Sequence, residues 1–197
     1  MSRKDIESRI SQLVDALFRN IPSGVGSRRK DLKLRSKELA KIFRDGVQWA
    51  VDQGFGSQED REHIEAEGCI KGGDPGPISD RAKDRGRSQI GTLGSGNHFV
   101  EIGYVDEVYD DNAACALGLE KDGVTVMIHT GSRGLGHQVC DDYIRVMMAA
   151  SRRYEIDLPD KQLCCAPVDS KEGKEYLAAM AGAANFAFVN RQVITHW

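Results

Sequence analysis

Two of the five histidines in this chain stand where a glycine-rich loop meets an apolar run. The first ends the loop Gly91-Thr92-Leu93-Gly94-Ser95-Gly96-Asn97-His98 and leads into Phe99-Val100-Glu101-Ile102. The second closes the run Val124-Thr125-Val126-Met127-Ile128 as His129 and leads into Thr130-Gly131-Ser132-Arg133-Gly134-Leu135-Gly136-His137. A neutral imidazole is a ligand for divalent metals, and glycine lets a ligand approach the backbone closely. Asn97 adds a side-chain donor and acceptor. Turn amides ahead of a helix suit phosphate oxygens, and Arg133, next to Ser132, brings a planar fork of matching geometry. The chemistry indicated is metal-assisted handling of a phosphate. Taken alone, the first stretch fits a tight turn with one satisfied histidine equally well; the second stretch favours a site.

The elements that must hold these residues are legible from periodicity. Phe99 to Val108 and Val124 to Ile128 read as strands, and 111–119 as an intervening helix. A βαβ-like strand–helix–strand unit is expected to bring both histidines to neighbouring strand ends. The glycine turn at 131–136 opens a helix that runs to about Tyr154. Upstream, apolar residues at Ile6, Ile10, Leu13, Val14, Leu17 and Phe18 predict a helix over 5–19 with one buried stripe. Ser36 is read as the cap of a helix through Asp52, and Ser57 as the cap of a short acidic helix to Glu67. A basic helix spans 79–85. Leu163 to Val168 reads as a short strand, and Ser170 caps a long alanine-rich helix to about Asn190. His63 is expected on the surface, His137 in a non-ligand role, and His196 outside ordered structure.

Composition bounds the rest. The 197 residues are 40% hydrophobic and 29% charged, with a net charge of −3. No apolar run approaches the ~20 residues of a membrane helix, and no secretory leader is visible at the N-terminus. Five cysteines without C-x-x-C spacing argue against a disulfide framework or a zinc ribbon and for a reducing, cytoplasmic setting. Cys164-Cys165 is read as packing. Basic groups at Arg28-Arg29-Lys30 and along Arg81, Lys83, Arg85 and Arg87 are read first as solvated faces. Arg85, leading into the first glycine loop, is the one singled out as an RNA contact.

GTLGSGNHFVEI, HTGSRGLGHQV, NFAFVNRQ and the upstream Asn20-Ile21-Pro22-Ser23-Gly24-Val25-Gly26-Ser27 resemble motifs of the RtcB family of RNA ligases, in order and from about Leu13 to Gln192. The resemblance implies an α+β fold of mixed sheets with surrounding helices. It implies a GTP- and Mn²⁺-dependent enzyme that joins an RNA 2′,3′-cyclic phosphate or 3′-phosphate end to a 5′-hydroxyl through a guanylylated histidine, as in tRNA splicing or RNA repair. By motif match, His98 and His129 would be Mn²⁺ ligands. Asn97, His98, Phe99, Val100 and Glu101 would line the GTP site. Arg133 would contact phosphate, and Asn190 and Arg191 would face the ligation site. The family's Asp-Val-Asn-Cys-Gly, His-His-Asn and Lys-Gly motifs find no counterpart. The chain is therefore expected to be an internal portion, 1–197, of one catalytic domain, inactive alone and without the GMP-accepting histidine. A metal-dependent phosphoesterase, a non-catalytic RNA-binding module and an inactive product of a split gene are the alternatives.

Overall fold

The longest helix organises the chain. The structure, a computed structural model, describes residues 3–197. Ser170 accepts a hydrogen bond from Gly173 N at 3.0 Å and starts α9 (Lys171–His196). Ala179, Ala181, Gly182 and Ala183 give α9 a thin buried face. A Cβ on Gly182 would stand 2.9 Å from Ile78 Cδ1 and 3.4 Å from Phe43, so a larger residue would have to push the Ile78 side chain aside. Against α9 pack α3 (Ser36–Asp45), α4 (Val47–Asp52) and α8 (Arg133–Arg153), and α6 (Asp80–Gly86) packs on α8. The shared core includes Leu39, Phe43, Trp49, Leu135, Tyr143, Phe186 and Val189. None of the described helices is long and apolar enough to cross a membrane.

The helix expected over 36–52 is two helices. Gly46 sits at φ 54°, and a Cβ there would overlap the Gly68 carbonyl, so close packing of the 68–69 segment forces the break. The cap lies one residue earlier than predicted, at Arg35, whose amide donates to Glu38 Oε2 at 2.7 Å. The first helix is likewise interrupted, as α1 (Arg3–Glu7) and α2 (Ile10–Asn20). Its predicted stripe is only partly buried: Leu13 and Leu17 pack inward, whereas Ile10, Val14 and Phe18 are exposed. The acidic helix α5 (Gln58–Glu62) is capped by Ser57 and Asp60 as expected but stops early: Ile64 is already extended at φ −109°, and Ala66 and Glu67 then turn left-handed at φ 52° and 53°. No strand forms over 163–168. Ser151 on α8 bonds both the amide and the carbonyl of Cys165, so a side chain satisfies that backbone in place of a neighbouring strand. His196 is ordered in the last turn of α9, with its ring edge-on to Phe55 at 5.3 Å.

The class is α+β, and among the described residues the sheet is a single two-stranded ribbon. β1 (Phe99–Tyr104) pairs antiparallel with β2 (Val124–His129), with Phe99 opposite His129 and Tyr104 opposite Val124. This corrects the βαβ expectation. Val105 N donates to Gly123 O and Asp122 N to Val105 O, so the chain re-enters beside the point where it left. The short α7 (Asp111–Ala116) rides on the intervening loop. A parallel pair would have put His98, before β1, and His129, at the end of β2, at opposite ends of the ribbon. The antiparallel register puts them at the same end.

Candidate functional site

The register sets the histidine pair. The rings of His98 and His129 lie 6.4 Å apart, tilted by 31°, and Phe99 stands edge-on to His129 at 5.4 Å. His98 Nδ1 lies 2.8 Å from the hydroxyl of buried Thr130. With Nδ1–H as the donor, Nε2 keeps a free lone pair, the arrangement a metal-ligating histidine requires. Burial, then the Arg133 guanidinium and the His129 ring, hold the His98 imidazole below its ordinary pKa and so favour the neutral, ligating form. The donor set fits a divalent cation in part. Two imidazoles stand together, but no group of three or more His, Cys, Asp or Glu side chains among the described residues could enclose an ion.

Beside the pair, Arg133 joins the two glycine loops. Arg133 opens α8 with φ 55°, a conformation a non-glycine residue adopts only where its surroundings impose it. Its Nε donates to Thr92 Oγ1 at 3.1 Å and its Nη2 to Ser27 Oγ at 3.0 Å, which ties the 23–27 turn to both glycine loops. Burial lowers its pKa from the ordinary arginine value. Gln89 accepts from Gly134 N at 2.9 Å, so the second glycine turn is fastened to the segment leading into the first. Arg85 donates to Gln138 at 3.0 Å. His98, His129, Ser132, Arg133, Arg85 and His137 line one cavity of about 850 Å³, together with Gly24, Arg28, Gln89 and Thr130. That volume is in the range of nucleotide-sized ligand sites.

The other predicted residues are placed differently. Asn97 is exposed in the loop before His98. Val100 packs with Ile128 around Ile21, Leu93 and Ile194, while Glu101 is exposed on β1. Neither Asn97, Phe99, Val100 nor Glu101 is part of the cavity wall. Asn190, expected at the ligation site, is fully buried and bonded to the backbone of both glycine loops, so in this conformation it has no surface to offer RNA. Arg191, half-buried, donates to Thr130 O at 3.1 Å, and burial lowers its pKa. His137 stands exposed on the cavity rim with Nδ1 3.4 Å from Asp141.

The family model described as tRNA-splicing ligase RtcB matches residues 1–197. The chain belongs to the RtcB family. It is similar to the tRNA-splicing ligase RtcB of Archaeoglobus fulgidus, 52% identical over 194 residues, which is 98% of this chain and 40% of that protein. The RtcB of Thermococcus kodakarensis is 49% identical over 197 residues, all of this chain and 41% of that protein. The RtcB of Methanocaldococcus jannaschii is 50% identical over 197 residues, again all of this chain but 20% of that protein. The chain thus spans between one fifth and two fifths of these curated RtcB relatives.

Sequence reasoning singled out His98, His129 and Arg133, which the fold brings together, but missed what holds them. Thr130 carried one usable signal, a hydroxyl directly after the strand-end histidine. Gln89 carried none, since a lone glutamine ahead of a loop has no pattern. Arg29, read within a solvated basic cluster, is buried. It pairs with Asp31, donates to Asn20 O and stacks on Trp197 at 4.2 Å.

Proposed function

We propose that this RtcB-family chain supplies the paired-histidine and phosphate-cradle part of a GTP- and Mn²⁺-dependent RNA ligase. The ligase joins RNA 2′,3′-cyclic phosphate or 3′-phosphate ends to 5′-hydroxyl ends, as in tRNA splicing and RNA repair. The observation that carries the reading is the antiparallel register that sets His98 beside His129 at the mouth of a cavity walled by Ser132, Arg133 and Arg85. In this reading His98 and His129 hold Mn²⁺, whose chemistry is to neutralise phosphate charge and align the reacting oxygens. The chain's own residues do the remaining positioning. Thr130 fixes the His98 ring, Arg133 meets a phosphate, and Arg85 meets the RNA backbone. Asn97 and Glu101 approach GTP from the loop and strand edge. GMP is carried by a histidine outside these residues. Positioning and charge neutralisation account for most of phosphoryl-transfer catalysis, so groups of this kind suffice for the role. A cytoplasmic location is part of the proposal and rests on five free cysteines.

The test is Mn²⁺ binding followed by electron paramagnetic resonance, with His98→Ala and His129→Ala as comparisons. Ligation of RNA with a 2′,3′-cyclic phosphate and a 5′-hydroxyl is then measured in a ligase of the relatives' full length that carries this segment. Each substitution is expected to abolish Mn²⁺ binding and sealing. Sealing that survives both substitutions would refute the assignment. Phosphate release without any GTP requirement would point to a phosphoesterase instead.

A further inference from the structure

The two histidine loops are far apart in sequence, and few groups reach both. Asn190 does. Its Oδ1 accepts from Gly91 N at 2.8 Å and Thr92 N at 3.2 Å, and its Nδ2 donates to Thr92 O at 3.2 Å and Gly131 O at 3.0 Å. A primary amide has two acceptor positions and two donor hydrogens, so every one is used, and the side chain is 0% exposed. The next residue, Arg191, donates to Thr130 O, and the Thr130 hydroxyl meets His98 Nδ1. A continuous path of hydrogen bonds therefore runs from α9 through Thr130 to the His98 ring, with a second grip on the loop that leads to it.

From this we infer that Asn190 is a positioning residue for the ligation site, setting the separation and tilt of the His98 and His129 rings from a rigid helix. It touches neither ligand nor RNA. A buried amide with four backbone partners holds two loops in one relative placement, because any slip leaves a buried donor or acceptor unpaired. The same helix supplies an internal comparison. Asn185 is also 0% exposed and staples backbone, accepting from Ile70 N and donating to Phe43 O and Ile70 O, but these partners belong to neither histidine loop. Two asparagines of equal burial on one helix thus separate holding the fold from holding the site.

The inference rests on the two-histidine reading for its metal arm, so the experiment has a metal-free arm as well. Asn190→Ala and Asn185→Ala are made in the 197-residue chain. Each is measured for melting temperature, for the nuclear Overhauser contact between the His98 and His129 ring protons, and for Mn²⁺ affinity. Both variants are expected to melt lower. Only Asn190→Ala is expected to lose the ring contact and to bind Mn²⁺ at least ~10-fold more weakly, the lower end of what outer-sphere partners of metal ligands contribute. If Asn190→Ala does not fold, Asn190→Asp keeps both acceptor contacts and removes the donations to Thr92 O and Gly131 O, and the same losses are expected. Equal behaviour of the 185 and 190 variants, or an unchanged ring contact in the 190 variants, overturns the inference. Failure of the unsubstituted chain to bind Mn²⁺ would instead sink the metal reading, and the ring contact alone would decide the role of Asn190.

Discussion

Replacing Gly94 with alanine would test the site through a single methyl group. Gly94 is not among the glycines with positive φ, so alanine meets no backbone strain there. A Cβ on it would overlap Arg133 Nη1 and stand 2.8 and 2.9 Å from Cγ and Cδ2 of His98. Carbon atoms in contact prefer ~3.5–4.0 Å, so the imidazole must retreat by roughly 0.7 Å or more. The loop cannot yield in the other direction without loss, because Gly94 O accepts from Gly24 N at 2.9 Å. Metal–ligand distances tolerate deviations of only about 0.2 Å, and a misplacement of about 1 Å can cost ~100-fold in catalysis. The expected result for Gly94→Ala is a 10- to 100-fold weaker Mn²⁺ affinity, about the effect of disturbing a ligand's supporting shell. Under the proposed function, ligation by a ligase of the relatives' full length that carries this segment should fall in parallel, with little change in the melting temperature of the chain. Calorimetric Mn²⁺ titration and thermal denaturation of the same samples make the comparison. Unchanged affinity would refute the argument that His98 and Arg133 are packed against this glycine and that their placement matters.

Two further outcomes follow from the same geometry. Thr130→Val keeps the shape of the side chain but removes the oxygen 2.8 Å from His98 Nδ1; Mn²⁺ affinity in the same titration should fall by about 10-fold or more, while the chain stays folded. Tyr143 responds to pH: burial, then Glu175 and Asp142, push its phenol up to about 12. The unfolded chain loses that proton near pH 10, so the folded state binds more protons between about 10 and 12, and stability present below that window is lost as pH rises through it. Urea melts at rising alkaline pH should show a steeper loss for the natural chain than for Tyr143→Phe; parallel curves would contradict the assignment.

What the sequence disclosed, and what it withheld, follows from the range of each signal. The two strands, the caps at Ser57 and Ser170 and the glycine turn before α8 are set within a few residues, and all can be read along the chain. The break at Gly46 is caused by the carbonyl of Gly68, and the irregular course of 164–168 by Ser151, partners that periodicity does not reveal. The strand pairing shows the same limit. Alternation identifies a strand but carries no direction, and the antiparallel choice is made by the contacts between Val105 and the 122–123 turn. At the site, residue type exposed His98, His129 and Arg133. Motif likeness places Asn190 at the ligation site but does not reveal its loop partners, which lie about a hundred positions earlier.

The placement of that asparagine also bears on how the protein is made. Asn190 lies 99 positions after Gly91, and Asn185 lies 142 after Phe43. A ribosome adding roughly 5–20 residues per second delivers the last helix roughly 5–20 s after the first glycine loop. During that interval the Gly91 and Thr92 amides lack the Asn190 oxygen that will accept from them, and the apolar faces that α9 will cover are open to other chains. The nascent polypeptide therefore gains the grip of α9 on its two histidine loops late, when α9 docks. Slow synthesis or a pause before residue 170 would lengthen the time in which this chain is exposed to chaperones, proteases and aggregation.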